Sequence, residues 1–263
     1  MDLGIKGKVA LVAAASKGLG KATALALAHE GADVCIVARG QQALDAAAEE
    51  IRAATGCKVL AVAGDVGVAA QLEALVRRVN ESLGGVDILV NNAGGPRPGV
   101  FTDMSDEDWL GAIELNLMSA VRLTRLVLPH MRERGWGRVI NITSVAVKQP
   151  IPNLILSNAA RSAVVAMAKT LSMQVAAEGI TVNNVCPGYT LTDRVRGLAE
   201  SNSASEGISI DEVMARWETS IPARRLGKPE EVAALITFLA SQQAGYITGT
   251  TIQIDGGTTQ SLL

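Results

Sequence analysis

The residues best suited to chemistry begin with a small-residue turn, Ala13-Ala14-Ala15-Ser16-Lys17-Gly18-Leu19-Gly20, set between a β-branched run and the Ala/Leu-rich stretch from Lys21 to His29. Strand, turn and helix follow in that order. Without bulky side chains, the backbone and the free N–H groups of the helix can approach a pyrophosphate, whose charge the helix dipole favours. The same spacing also suits an ordinary strand-to-helix connection. A second signal closes the next strand, Val37-Ala38-Arg39. An acidic residue there would bind both ribose hydroxyls of NAD and repel a 2′-phosphate. Arg39, with Lys17 in the turn, instead suits the phosphate of NADP through charge-assisted hydrogen bonds. Solvated surface charges would look the same in sequence, and NAD stays possible.

The elements that must position these residues alternate along the chain. Short β-branched runs at Lys8 to Ala13, Asp33 to Ala38, Lys58 to Ala63, Asp87 to Asn91, Arg138 to Thr143, Thr181 to Cys186 and Thr251 to Ile254 are separated by stretches of helical period. Helices are expected near Leu19 to His29, Gln41 to Ala54, Ala69 to Leu83, Asp106 to Leu128, Asn158 to Ala177 and Pro229 to Ala240. The alternation implies βαβ units and a parallel sheet, and the nearly continuous apolar strands imply helices on both faces. The expected fold is therefore α/β, one Rossmann-type domain over residues 1–263, with a doubly wound parallel sheet of about seven strands. Ser105 before Asp106, Glu107 and Asp108 is a strong helix start. The stretch 190–222 carries the polar patch Ser201 to Ser205 inside weak helical signal, and is expected to be a substrate flap or a plain surface loop.

Composition narrows the function classes. With 48% hydrophobic residues, 19% charged residues and a formal net charge of −2, the chain can build a large core and lacks the basic surface that nucleic acid would need. Cys35, Cys57 and Cys186 read as small buried thiols, and His29 and His130 as helix-surface residues, so no metal site is expected. No apolar run reaches the roughly 20 residues of a membrane span, and the N-terminus lacks a leader pattern, so a cytoplasmic protein without a membrane partner is expected.

From Ala13 to Gly257 the chain resembles the short-chain dehydrogenase/reductase family, and the 3-oxoacyl-acyl-carrier-protein reductases within it. Gly18 and Gly20 match the TGxxxGxG turn, with Ala13 and Ala14 in place of its Thr and first Gly. Any positive φ at these alanines would be strained. Further matches are Asp65-Val66, Asn91-Asn92-Ala93-Gly94, Asn116, Pro187-Gly188, Arg225 to Val232, Ile247-Thr248-Gly249 and Asp255-Gly256-Gly257. The resemblance implies that Ala14, Ser16, Lys17, Gly18, Leu19, Gly20 and Arg39 bind NADP. It also implies that Asp65 and Val66 lie against the adenine, and that Asn92, Ala93, Gly94, Pro187, Gly188, Thr190 and Thr192 border the cofactor.

The family reduces carbonyls with an Asn, a Ser, a Tyr and a Lys. Asn116 and Ser144 match the first two, while the YxxxK pair falls on Ser157 and Arg161. The chain has only Tyr189 and Tyr246, with Asp193 and Thr250 in the following lysine positions, so no shift of register restores the pair. Ser157 and Arg161 share a helix face. A serine alcohol is a weak acid, and arginine holds its proton, so turnover would rest on Ser144, Asn116 and solvent, with Arg161 at the nicotinamide ribose. Tyr189, beside the Pro-Gly turn, is the other candidate donor, unless it packs under the flap.

Three outcomes follow from the resemblance. The first is an oxidoreductase interconverting a carbonyl and an alcohol, with a small-molecule or acyl-carrier-linked substrate. The second is a dinucleotide-binding protein with lost or reduced catalysis, and the third is non-redox chemistry in the manner of halohydrin dehalogenases, which pair Ser and Tyr with an Arg. The resemblance also implies a homodimer or homotetramer through the helices after the fourth and fifth strands, which the apolar face of residues 163–168 would suit unless it is core.

Overall fold

Every β-branched run forms a strand in a computed structural model of the chain, which describes residues 2–262. These are β1 (Val9–Ala13), β2 (Asp33–Ala38), β3 (Val59–Ala63), β4 (Ile88–Asn91), β5 (Gly137–Ile142), β6 (Ile180–Pro187) and β7 (Thr251–Ile254). They form one seven-stranded sheet in the order β3-β2-β1-β4-β5-β6-β7. All pairings are parallel, with registers such as Val12↔Ile36 and Val12↔Val90. The order reverses between β1 and β4, which opens a crevice at the carboxyl ends of the strands.

Strand alternation divides the core in two. Ala10 and Val12 face helices α1 (Gly18–His29), α2 (Gln41–Thr55) and α9 (Pro229–Leu239), packing with Leu27, Leu44, Ile51 and Ile236. Val9, Leu11 and Ala13 face α3 (Ala69–Leu83), α5 (Ser119–Arg134) and α6 (Ile155–Val175), packing with Leu72, Val76, Leu123 and Val127. Period-2 side chains on both faces of the strands thus meet helices on both sides.

A row of buried amides ties the strands together near the crevice. Asn91 Nδ2 donates to Asn141 Oδ1 at 2.8 Å, Asn141 Nδ2 to Asn184 Oδ1 at 2.9 Å, and Asn184 Nδ2 to Thr251 Oγ1 at 3.1 Å. The links leave one buried oxygen of the row, Asn91 Oδ1, without a partner among the described residues, and the other amides are satisfied by their neighbours.

Two regions differ from expectation. The single helix expected over Asp106 to Leu128 is α4 (Asp106–Ile113), a π-helical turn (Glu114–Met118) and then α5. Its start is as expected, a capping box in which Ser105 Oγ accepts from the Asp108 amide and Asp108 accepts from the Ser105 amide. The polar stretch 190–222 carries two helices, α7 (Asp193–Glu206) and α8 (Ile210–Ser220), with Ser201 to Ser205 inside α7. Ala199, Val213 and Trp217 are buried between them, and that contact overrides the weak local propensity.

The three cysteines are free; Cys35 and Cys186 are buried and Cys57 half-buried. Burial pushes the Cys35 thiol up to about 12. His29 is exposed near the end of α1, whereas His130 is half-buried with Nε2 3.7 Å from Asp87. Among the described residues no group of His, Cys, Asp and Glu could hold a metal, and no helix is long and apolar enough to cross a membrane. In α6, Val164 and Ala168 are core while Ala166 is exposed.

Candidate functional site

The turn after β1 keeps its shape despite its alanines. Ala14 sits at φ +48° and Gly18 at φ +57°. The strain expected of a positive φ at alanine is therefore present, on the order of 1 kcal/mol or more. Gly20 is required by a close approach, since a Cβ there would be driven into the Ala14 carbonyl oxygen. Asn92 Nδ2 holds the turn by donating to the Ala13 oxygen at 3.2 Å. Helix α1 starts at Gly18 with no side-chain cap and no acidic residue in its first turn, so its free amides and positive dipole end remain available to an anion.

The turn opens into a cleft of about 910 Å³ along the carboxyl ends of the strands. It is lined by Ala14, Ser16, Lys17, Gly18, Leu19, Arg39, Asp65, Val66, Asn92, Ala93 and Gly94, and also by Ser144, Ser157, Arg161, Pro187, Gly188, Thr190 and Thr192. Among the residues expected at a site, only Gly20 and Asn116 stand back from it. Arg39 is exposed and forms no ion pair among the described residues. Asp65 caps its own turn, with Oδ1 accepting from the Gly67 amide at 2.9 Å. Lys17 pairs with Asp193 at 2.7 Å, bridging the turn to the start of α7, and this bond holds the Asp193 carboxyl below the usual carboxylate range.

Ser144 follows β5, and its Oγ accepts from the Ala146 amide at 3.1 Å. Ser157 and Arg161 lie one turn apart on α6, both buried. Arg161 is committed to backbone: Nη1 donates to the oxygens of Ile142 at 3.0 Å and Thr143 at 2.9 Å, and Nη2 to that of Ala93 at 3.2 Å. It therefore clamps the segments after β4 and β5, and only the remaining N–H groups can serve a ribose. Burial, and secondarily the nearby Arg194, lower its pKa to about 10, so it is cationic at neutral pH. Asn116 lies in the π-helical turn, its Nδ2 donating to the Ala112 oxygen at 3.2 Å. Its buried Oδ1 has no partner among the described residues, and Asn116 lines a cavity of about 20 Å³ shared with Asn91, Thr143 and Arg161, room for one water.

Tyr189 stacks on Trp217 with ring centroids 4.5 Å apart and planes at 13°, and burial raises its pKa. It packs against the apolar cluster between α7 and α8, and a raised pKa makes it a worse acid than a free phenol. The cleft also takes in residues that the sequence did not single out, chiefly Ile151, Pro152, Leu154, Val195, Leu198 and Arg194. The helix-start pattern of Thr192 before Asp193 was a signal for α7, whose N-cap Thr192 accepts from the Val195 amide at 3.4 Å. No pattern marks the apolar wall.

Comparison with known proteins agrees with this geometry. A family model described as "Enoyl-(Acyl carrier protein) reductase" matches residues 13–259. Nodulation protein G of Azospirillum brasilense is 38% identical over 95% of this chain and 97% of its own. The 3-oxoacyl-(acyl-carrier-protein) reductase FabG of Haemophilus influenzae is 37% identical over 96% and 98%. L-Sorbose reductase from Gluconobacter frateurii, solved with NADPH and L-sorbose, superimposes with a TM-score of 0.95 at 36% identity, covering 100% of both chains. Neither reductase name favours the alternative of a dinucleotide-binding protein without catalysis. The matched length, the identity and the shared fold together make this chain a member of the short-chain dehydrogenase/reductase family.

Proposed function

We propose that the protein is an NADPH-dependent reductase that interconverts a carbonyl and an alcohol, with Ser157 and Arg161 in the family's Tyr and Lys places. The observation that carries the cofactor half is Arg39, an unpaired cation in the cleft beside the open N-terminus of α1. Ala14, Ser16, Lys17, Gly18, Leu19 and Gly20 would seat the pyrophosphate, and Arg39 the 2′-phosphate. Asp65 and Val66 would flank the adenine, while Asn92, Ala93, Gly94, Pro187, Gly188, Thr190 and Thr192 would border the nicotinamide half. NADPH supplies the hydride when bound. Structures of relatives solved with NADPH support the choice.

The chain's own residues must then hold the carbonyl oxygen and see it protonated. Ser144 and Ser157 donate hydrogen bonds to the oxygen as it gains negative charge, and the Arg161 cation behind them stabilises that charge. The proton comes from solvent, since neither serine is an acid near neutral pH and Arg161 keeps its own. Asn116 orders the water site behind Arg161. The segment 190–222, bridged to the turn by Lys17 and Asp193, acts as the flap that closes over substrate.

Fluorescence titration with NADPH and NADH tests the cofactor half: NADPH is expected to bind at least about ten-fold tighter, and Arg39→Asp to reverse the preference. Turnover over a carbonyl panel tests the chemical half, with the Ser157→Tyr, Arg161→Lys double variant expected to be faster than wild type. Equal affinity for both cofactors, or no turnover on any carbonyl, would count against the reading. Self-association is proposed alongside it, supported by exposed Leu110 and Ile113 on α4 and Met173 on α6, and sedimentation velocity would show a monomer if it is wrong.

A further inference from the structure

The cleft wall also carries Ile151, Pro152, Leu154 and Leu198, and beside Arg161 a second charge in it has no counter-ion among the described residues. That charge is Arg194, the second residue of α7. Its neighbour Asp193 is neutralised by Lys17. Arg194 forms no ion pair with any carboxylate among the described residues, and neither does Arg161. Both guanidinium groups rest on one loop, Arg161 on the Ala93 oxygen and Arg194 on the Pro96 oxygen at 3.0 Å. Arg194 also lies flat against Gly95, where a Cβ would come within 2.9 Å of its Nη2. Backbone thus fixes the group in place, while most of its N–H donors stay unused.

Two unneutralised cations facing one partly desolvated cleft repel each other, and a cation in the first turn of a helix opposes the helix dipole. An anion seated at Arg194 relieves both. The cofactor's phosphates have partners of their own in the open amides of α1 and in Arg39. The anion therefore belongs to the substrate. We propose that Arg194 is a substrate-positioning residue and that this reductase acts on carbonyl compounds bearing a carboxylate, held in the planar, bidentate manner that a guanidinium favours. The inference rests on the reductase reading, since it assigns the substrate class of the same site.

The test uses the NADPH-loaded protein and a series of aliphatic oxo acids, with the carboxylate one to four carbons from the carbonyl, beside their methyl esters. Binding is read from the fluorescence of bound NADPH and turnover from NADPH consumption. At least one acid is expected to bind about ten-fold or more tightly than its ester. Arg194→Gln is expected to bring that ratio to about one, and Arg194→Lys to recover part of it. Arg196→Gln, a neighbouring cation outside the cleft lining, is the control and keeps the ratio. Esters binding as well as acids throughout the series would overturn the proposal. So would an Arg194→Gln variant that weakens NADPH itself while the acid-to-ester ratio persists, which would assign Arg194 to the cofactor. Failure of wild type to bind NADPH would count against the reductase reading instead, and the acid–ester contrast, followed as the melting-temperature shift of the unliganded protein, still decides the anion site.

Discussion

The turn at Ala13 to Gly20 and the α6 turn at Ser157 to Arg161 both depart from the motifs they resemble, yet the departures differ in kind. At the first, the working groups are backbone amides, so Ala14 can stand where a glycine would be easier, at the cost of a φ of +48°. At the second, in the function proposed above, the working groups are side chains. Ser157 and Arg161 keep the place and the spacing but bring another acid strength and another reach. A function carried by backbone tolerates a change of side chain at the cost of some strain, whereas a function carried by side chains changes its chemistry.

The largest effect is expected at the α6 turn. Arg161→Met takes the guanidinium donor from the Ile142, Thr143 and Ala93 oxygens and should destabilise the fold by about 2–3 kcal/mol, read as a lower urea midpoint at unchanged slope. An unchanged midpoint would mean that the clamp is dispensable. Next is Gly20→Ala, which forces a Cβ against Ala14 and within 2.9 Å of the Ala15 Cα. It should cost roughly 1–3 kcal/mol and weaken NADPH at least about ten-fold. Ala14→Gly sharpens the comparison from the other side. Removing the strained Cβ should gain roughly 0.5 kcal/mol after the entropy of the freer unfolded chain is subtracted, seen as a small rise in melting temperature.

The smallest effect concerns the bridge between the turn and α7. Lys17 lowers the Asp193 pKa, so the contribution of their contact is present above the ordinary Asp range and is lost as pH falls through the depressed value. Asp193→Asn should remove that acid-side step and leave the neutral-pH melting temperature within scatter, because the pair is exposed. Faster proteolysis within 190–222 would be its visible consequence.

Much of the architecture was legible in the sequence because strand and helix periods differ and both faces of the sheet are apolar. The crevice was legible too, since its lining follows strand ends that the pattern marks. Leu115 to Met118 hid the π-helical turn, because an apolar period continues across a single extra residue. The polar run Ser201 to Ser205 hid α7, whose stability comes from burying Ala199 and Trp217 at a distance in sequence. Arg161 was placed on the right face, but no local pattern says that its guanidinium turns to strand-end carbonyls, because those acceptors come from 68, 19 and 18 residues away. Arg194 was missed for the same reason: its platform is Gly95 and Pro96, across the cleft.

The amide row from Asn91 through Asn141 to Asn184 works as a vernier for the sheet. A slip of one residue along any of these strands would swing its asparagine to the opposite face and orphan the amides on both sides, so neighbouring strands are held to a single alignment. This part of the sheet is consequently a stiff plate, whose amide protons should be among the slowest to exchange with solvent. In the function proposed above, the opening and closing that admits substrate falls to α7 and α8.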